Sequence, residues 1–439
     1  MLHTSVVRKG TAGLAMVASV LALAGCGAAS RVGAQNATAV ECGYTMPTQS
    51  TTVNVLAYNS SAIDPFTNTM VKSCSRDRVT LKHDPIDFAG QVTKTTATLA
   101  GDEGSYDILE TYGFVLPGLA DNGKLEPLDD LVAKYSDRYK LNELNAAMRE
   151  GLSFDGKLYA LPMQAQMFVL AYRTDVFDSL GLKPPTNFAE MIESAKAIQT
   201  IGGIRYPIAL PWLATADVTT HYQAAMNSLG KDFIDPSGRV QFDSDEASRA
   251  LEGMRSLFPY MDPQVTTFDQ PKVQQQMFNG TAAMGIMFSG RMNDLTLPAN
   301  SKLSGQFGFA ASPAIEAGAP YLYSRLSIDG WSIPKNTTLD KDMLFQMMAA
   351  SISEEASKAA VPAAYPARED TVSPDSSKYA TAAIDTIAKT MPAIGQSEMA
   401  AVSNAIRPVL VQIITGQVEV PVGLIQMQDL AERAISGRR

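Results

Sequence analysis

An apolar run, Ala12 to Ala24, opens the chain behind Arg8 and Lys9. From Thr51 onward, apolar segments of strand length alternate with stretches at helix period. Val53–Ala57 reads as a strand and about Ile63–Cys74 as a helix. Val79–Leu81 is a second strand, followed by an amphipathic stretch from Phe88 to Leu99. Tyr106–Leu109 is a third strand, and another helix follows. A second series begins near Met167 with the strand Phe168–Tyr172. Asn187 and Glu190 form a capping-box-like start for a helix whose buried face is Phe188, Met191, Ile192, Ala195 and Ile198. Ser244 or Asp243 caps a helix with Ala247, Leu251, Met254 and Leu257 on one face. Ala282–Phe288 is long and apolar enough for a buried strand. Two helices close the chain, about Glu398–Thr415 with Gly416 as its stop, and about Val422–Ile435. Strand–helix alternation of this kind predicts an α/β fold with mostly parallel sheets covered by helices.

The opening run is too short to span a bilayer permanently, and its basic start and small-residue end make it a secretory signal. Leu23-Ala24-Gly25-Cys26 resembles the end of a bacterial lipoprotein signal. That resemblance implies a signal peptide over 1–25, lipidation at Cys26, and anchoring to the outer face of a bacterial cytoplasmic membrane. Residues 27–50 are rich in Ala, Gly, Ser and Thr without period, so 26–49 is expected to be the lipidated Cys and a flexible tether.

The 414 residues left after such a leader exceed one compact core and imply two or three domains. Their 34 basic residues face 45 acidic ones, which leaves no concentrated basic face for nucleic acid. Lipidation of Cys26 would leave Cys42 and Cys74. Two cysteines in an exported chain most often pair, with buried thiols the alternative, and a bridge here would contribute roughly 3–4 kcal/mol. With only His83 and His221 beyond the leader, a metal site is not expected.

Six further stretches stand in a recognisable order. They are Gly123–Leu128, Leu158–Pro162 with Leu170–Asp175, Gly181–Phe188, Phe278–Met284, Tyr365–Arg368 and Met391–Gln396. Together they resemble the extracellular solute-binding proteins of the large sugar-binding group, which includes maltodextrin-binding protein. The resemblance implies a two-lobed periplasmic-binding-protein-like fold, with a ligand cleft between lobes joined by hinge crossings. Lobe one is placed at 50–164 plus 330–385, and lobe two at 172–326 plus 386–439. Two departures matter. Ser289-Gly290-Arg291 stands where the family often has Trp, and Ala400-Ala401 where maltodextrin binders carry an aromatic residue. Both argue against a long glucan.

Sugar hydroxyls need carboxylates and amides that accept and donate in pairs, and a ring face needs an aromatic plate. Candidates in loops after cleft-edge strands are Tyr58 and Asn59, Glu110 and Tyr112, Gln164 and Gln166 in the first crossing, and Arg291. Trp212 follows a short strand, and Asp329, Gly330 and Trp331 lie at the second crossing. If Arg291 and Arg325 both face the cleft, an anionic or phosphodiester ligand is expected; otherwise they are surface charges. His221 beside Tyr222 is a weaker polar contact. Met343, Met347 and Met348 at helix spacing read as core.

No Gly-x-Ser-x-Gly elbow, His-Glu-x-x-His run or Gly-rich phosphate loop is present, and no cofactor is expected. The resemblance therefore implies a binding component of an ABC importer, not an enzyme. Its expected ligand is a saccharide, polyol or glycerophosphodiester, and its partners are a membrane permease pair and the bilayer. The chain is expected to be monomeric. A lipid-anchored glycosidase using paired carboxylates is the alternative.

Overall fold

The computed structural model describes Met1 and residues 37–83, 85–368, 370–393 and 395–437; the apolar leader and Cys26 lie outside the described residues. Eleven strands are defined: β1 Thr51–Leu56, β2 Val79–His83, β3 Ile108–Tyr112, β4 Ser153–Phe154, β5 Lys157–Leu158, β6 Leu161–Gln166, β7 Phe168–Arg173, β8 Ile208–Ala209, β9 Met284–Phe288, β10 Phe307–Ala311 and β11 Ser327–Ser332. The first sheet runs β2-β1-β3-β11-β6 and the second β10-β7-β9-β8, with β4 and β5 forming a small hairpin. β2, β1 and β3 are parallel, and β11 is antiparallel to both β3 and β6. In the second sheet β7 is antiparallel to β10 and β9, and β8 is parallel to β9.

The central strands are buried on both faces because helices cover both sides. All five residues of β3 are buried, and so are Phe168, Val169, Leu170 and Ala171 of β7. Local chemistry fixes the helix starts. Asn187 Oδ1 accepts the Glu190 N–H at 3.0 Å, and Glu190 Oε1 accepts from Asn187 Nδ2 at 2.8 Å. This reciprocal pair begins the helix Phe188–Thr200. Ser244 caps the helix Asp245–Leu257 through the Ala247 N–H at 3.2 Å. Met343, Met347 and Met348 are fully packed in the helix Lys341–Ser351, which lies against the helix Asp64–Cys74. The closing helices Met399–Ile414 and Val420–Ser436 pack on each other and on the helices Asp217–Ser228 and Asp245–Leu257, beside the second sheet.

Several boundaries differ from the sequence expectation. The first crossing is Met167 alone, since β6 runs to Gln166 and β7 starts at Phe168. Positions 164 and 172 therefore fall inside strands. β11 rejoins the first sheet at Ser327, ahead of the expected 330. The expected boundary at 385 cuts the helix Ala380–Ile387, which packs on β7 and β10 of the second sheet. Residues 365–367 still run along β6, with Ala165 N–H donating to Tyr365 O and Ala367 N–H to Met163 O. The third crossing thus lies between Arg368 and Ala380.

The described part of the expected tether is not free chain. Thr38 and Val40 N–H groups donate to Thr69 Oγ1 and Ser73 Oγ at 3.2 and 3.0 Å. Tyr44 is buried and donates its hydroxyl to Cys74 O at 2.7 Å. Cys42 and Cys74 form a disulfide with 5.3 Å between Cα atoms. An apolar anchor every second residue makes this segment a strap along the helix Asp64–Cys74. Among the described residues, no helix is long and apolar enough to cross a membrane.

Candidate functional site between the lobes

In open α/β sheets ligands bind outside the carboxyl ends of the parallel strands, where backbone groups and loops are free to vary. At that edge of the first sheet, the residues after β1 meet the end of β3. Tyr58 N–H donates to Glu110 Oε2 at 2.6 Å, and Glu110, at 1% exposure, lies beside Tyr112. β11 enters from the opposite direction and bulges between Asp329 and Gly330. Asp329 Oδ2 accepts from Gln164 Nε2 at 2.9 Å and Gln166 Nε2 at 3.1 Å, and Oδ1 accepts from Ser327 Oγ at 3.2 Å. Tyr58, Asn59, Glu110, Tyr112, Gln164, Gln166 and Asp329 thus gather on one edge of lobe one.

Lobe two meets this edge through the turn after β9. Arg291 sits over the Tyr58 ring, 5.7 Å from its centroid, and donates to the Tyr58 hydroxyl. Its Nη1 also donates to Gln274 Oε1 at 3.3 Å, and Gln274 Nε2 donates to Asp294 Oδ2 at 3.2 Å. Ser61 Oγ crosses between lobes to Gly290 O at 3.1 Å and Asp294 Oδ2 at 3.3 Å. Gly290 lies against Ala62 and Gln166.

Burial sets the charge state of this site. It pushes the Asp329 carboxyl up to about 6, and Asp64 and Asp217 up to about 7, against the opposing pull of Arg291 on the latter two. Glu110 is raised well above the carboxylate range by burial and by Asp329. Such carboxyls can accept from a hydroxyl when ionised and donate to one when protonated.

Asp64, Asp217, Gln274 and Asp294 were not among the sequence candidates. Each reads locally as a helix-start or helix-face residue, and only the fold assembles them. Phe88 and Phe114 were missed for the same reason. Phe88 contacts Tyr58 and Tyr112 edge-on at 6.0 and 5.5 Å, and Tyr112 stacks on Phe114 at 5.5 Å. These half-buried rings are the aromatic surface of the cleft edge.

Trp212 and Trp331 are placed otherwise. Both are fully buried in the hydrophobic core, and Trp331 lies one pleat deeper along β11 than Asp329. Gly330 is needed in that strand, because a Cβ there would approach Leu161 O to 2.8 Å. Arg325 stacks on Phe114 at 4.8 Å and has Asp232 as its charge partner. Arg291 is held by Tyr58 and Gln274. His221 is buried behind the cleft, stacked on Phe168 at 4.5 Å and bonded to Tyr323 Oη at 2.5 Å. Burial holds its imidazole down at about 3. Among the described residues, no group of three or more His, Cys, Asp and Glu is placed to hold a metal ion.

Two αβ lobes, three crossings and a polar seam between strand ends define a two-lobed binding-protein architecture. The comparisons agree and go further. The chain belongs to the bacterial extracellular solute-binding protein family, whose pattern matches residues 79–356. It is 28% identical over 238 residues to the mannitol-binding protein of Pseudomonas aeruginosa, 53% of each chain. The chain spans about half the length of the curated relatives it matches. An ABC transporter solute-binding protein of Agrobacterium vitis S4 with bound D-mannitol superposes with TM-score 0.74 at 23% identity, covering 88% of this chain and 99% of that one. Another, from Agrobacterium radiobacter K84 in complex with ribitol, gives 0.77 at 20% identity, covering 88% and 100%. At these identities the two structures establish the shared fold.

Proposed function

We propose that the protein captures a polyol or small saccharide between its lobes and delivers it to the membrane subunits of an ABC importer. The observation that carries this reading is the seam itself: Glu110, Gln164, Gln166 and Asp329 from lobe one face Arg291 and Gln274 from lobe two. Hydroxyl groups suit such a set because each can donate to a carboxylate and accept from an amide or guanidinium. A solute held by both lobes stabilises the closed arrangement alone, so binding shifts the population toward it. The half-buried Tyr58, Phe88 and Phe114, backed by the buried Tyr112, offer ring faces for the apolar side of the solute.

The relative named for mannitol and the fold neighbours holding mannitol and ribitol support a polyol before a long glucan. They are binding proteins, and the glycosidase alternative gains nothing from the site. Asp329 is held by three side-chain donors within lobe one, which suits a fixed acceptor more than a nucleophile.

A melting screen with mono- and disaccharides, hexitols and pentitols tests the reading. A cognate solute at a hundred times its Kd is expected to stabilise the protein by about 2.7 kcal/mol, a rise in Tm of several degrees. No shift with any polyhydroxyl solute would end the polyol and sugar reading.

The reading includes attachment through lipid on Cys26, as its signal-like context implies. Replacing Cys26 with Ala is expected to move the protein from the membrane fraction to the soluble one. Retention of the C26A variant on membranes would rule out lipidation at that residue.

A further inference from the structure

The seam has an imbalance that a neutral sugar does not relieve. Asp64, Glu110 and Asp329 line it from lobe one, and Asp217 and Asp294 from lobe two. Arg291 is one cation among them in the described residues, and Arg325, over the cleft-edge ring Phe114, is a second. Arg325 feels Asp232 only through its charge, and His83 is turned to Ala57 O. Asp269, next to Asp217, caps the helix Gln270–Asn279 and adds another negative charge on the lobe-two side. Tyr58 and Tyr112 complete the titratable groups and carry no positive charge.

The hydrogen-bonding capacity is unbalanced in the same sense. Gln164 is 0% exposed, and while its amide N–H reaches Asp329, its Oε1 has no partner. Asn59 Oδ1 is likewise buried without a donor. Carboxyls therefore outnumber guanidinium groups at the seam, and two of its buried amide oxygens await a donor.

Resting on the polyhydroxyl reading above, we infer that the cleft selects a solute that carries a protonated amine beside its hydroxyls, an amino sugar or an amino polyol, and discriminates against anionic sugars. An ammonium supplies three donors and one positive charge in a single group, and no acceptor. Near the seam, it would favour ionisation of Asp64 and Asp217, which burial otherwise holds part-protonated around neutral pH. A sugar acid or sugar phosphate would add charge of the sign already in excess.

Calorimetric titration of the purified protein separates these cases. The probes are 1-amino-1-deoxy-D-sorbitol and 1-amino-1-deoxy-D-mannitol, their neutral parents D-sorbitol and D-mannitol, and D-gluconate. At pH 8 at least one amine is expected to bind tenfold or more tighter than its parent, with gluconate weakest. Asp64 and Asp217 ionise near pH 7 and Asp329 near 6, so the amine advantage should shrink as pH falls from 8 to 5. Asp217→Asn and, independently, Asp64→Asn should each narrow the ratio of amine to parent affinity. A parent that binds as tightly as its amine at pH 8, or gluconate binding that matches it, overturns the inference and leaves the polyol reading standing. Silence of every probe overturns this inference, and the wider screen of saccharides, hexitols and pentitols then decides the reading it rests on.

Discussion

Replacing Arg291 with Ala is expected to weaken binding of the cognate solute by at least about a hundredfold. Arg291 is 7% exposed and is the charged link between the lobes, donating to Tyr58 on one side and Gln274 on the other. Removing one partner of a buried, hydrogen-bonded charge set typically costs about 3–5 kcal/mol, because the opposite charges stay buried. Here that cost falls on the closed arrangement. When the lobes part, water reaches Asp64, Asp217 and the Tyr58 hydroxyl. The Tm of the unliganded R291A variant should therefore change little while calorimetry shows the loss of affinity. Arg291→Lys keeps the charge but not the planar fork, so it should recover only part of the binding. Unchanged affinity in R291A would place the ligand elsewhere.

Gly290→Val should weaken binding by about tenfold or more without unfolding either lobe. A Cβ at position 290 would stand 2.8 Å from Ala62 Cβ and 2.8 Å from Gln166 Oε1, both on the opposite lobe. Overpacking of a tight contact typically costs about 1–3 kcal/mol. The turn at Ala62 and the turn at Gly290 belong to separate lobes, so the wedge is relieved by opening. X-ray scattering of the solute-saturated variant should give a larger radius of gyration than the native protein. A native radius and native affinity would show that the seam tolerates a side chain there.

Much of the fold was legible because local and global signals coincide. The continuous apolar run of β7, the Asn187–Glu190 cap and the Ser244 cap all lie where the sequence places them. β11 was hidden for a physical reason. Its Ser327, Asp329, Gly330 and Ser332 read as a loop, yet it sits between β3 and β6, and its polar groups are satisfied inside. Ser332 Oγ donates to Tyr159 O at 2.9 Å, and Asp329 takes three donors. The third strand was expected two residues early because Tyr106 and Asp107 look strand-like. Asp107 instead uses its side chain to accept the Asn54 N–H at 2.9 Å. Among the site candidates, those at strand ends, such as Tyr58, Glu110 and Asp329, could be read from topology. Asp64, Asp217 and Asp294 could not, since their meeting depends on how two lobes close. The two tryptophans were misread because a lone Trp after a strand looks the same in sequence whether it faces a cleft or a core.

The strap along the helix Asp64–Cys74 gives the two lobes unequal standing toward the bilayer. With lipid on Cys26, the chain from Cys26 to Thr38 can reach at most about 40 Å. The mooring point is then fixed by the disulfide to lobe one alone. Lobe two has no such leash and is the swinging partner. Under the lipid attachment and delivery proposed above, docking geometry at the membrane would thereby be preset: lobe one would arrive moored within one short radius, and the solute would be handed over by a half that moves relative to it.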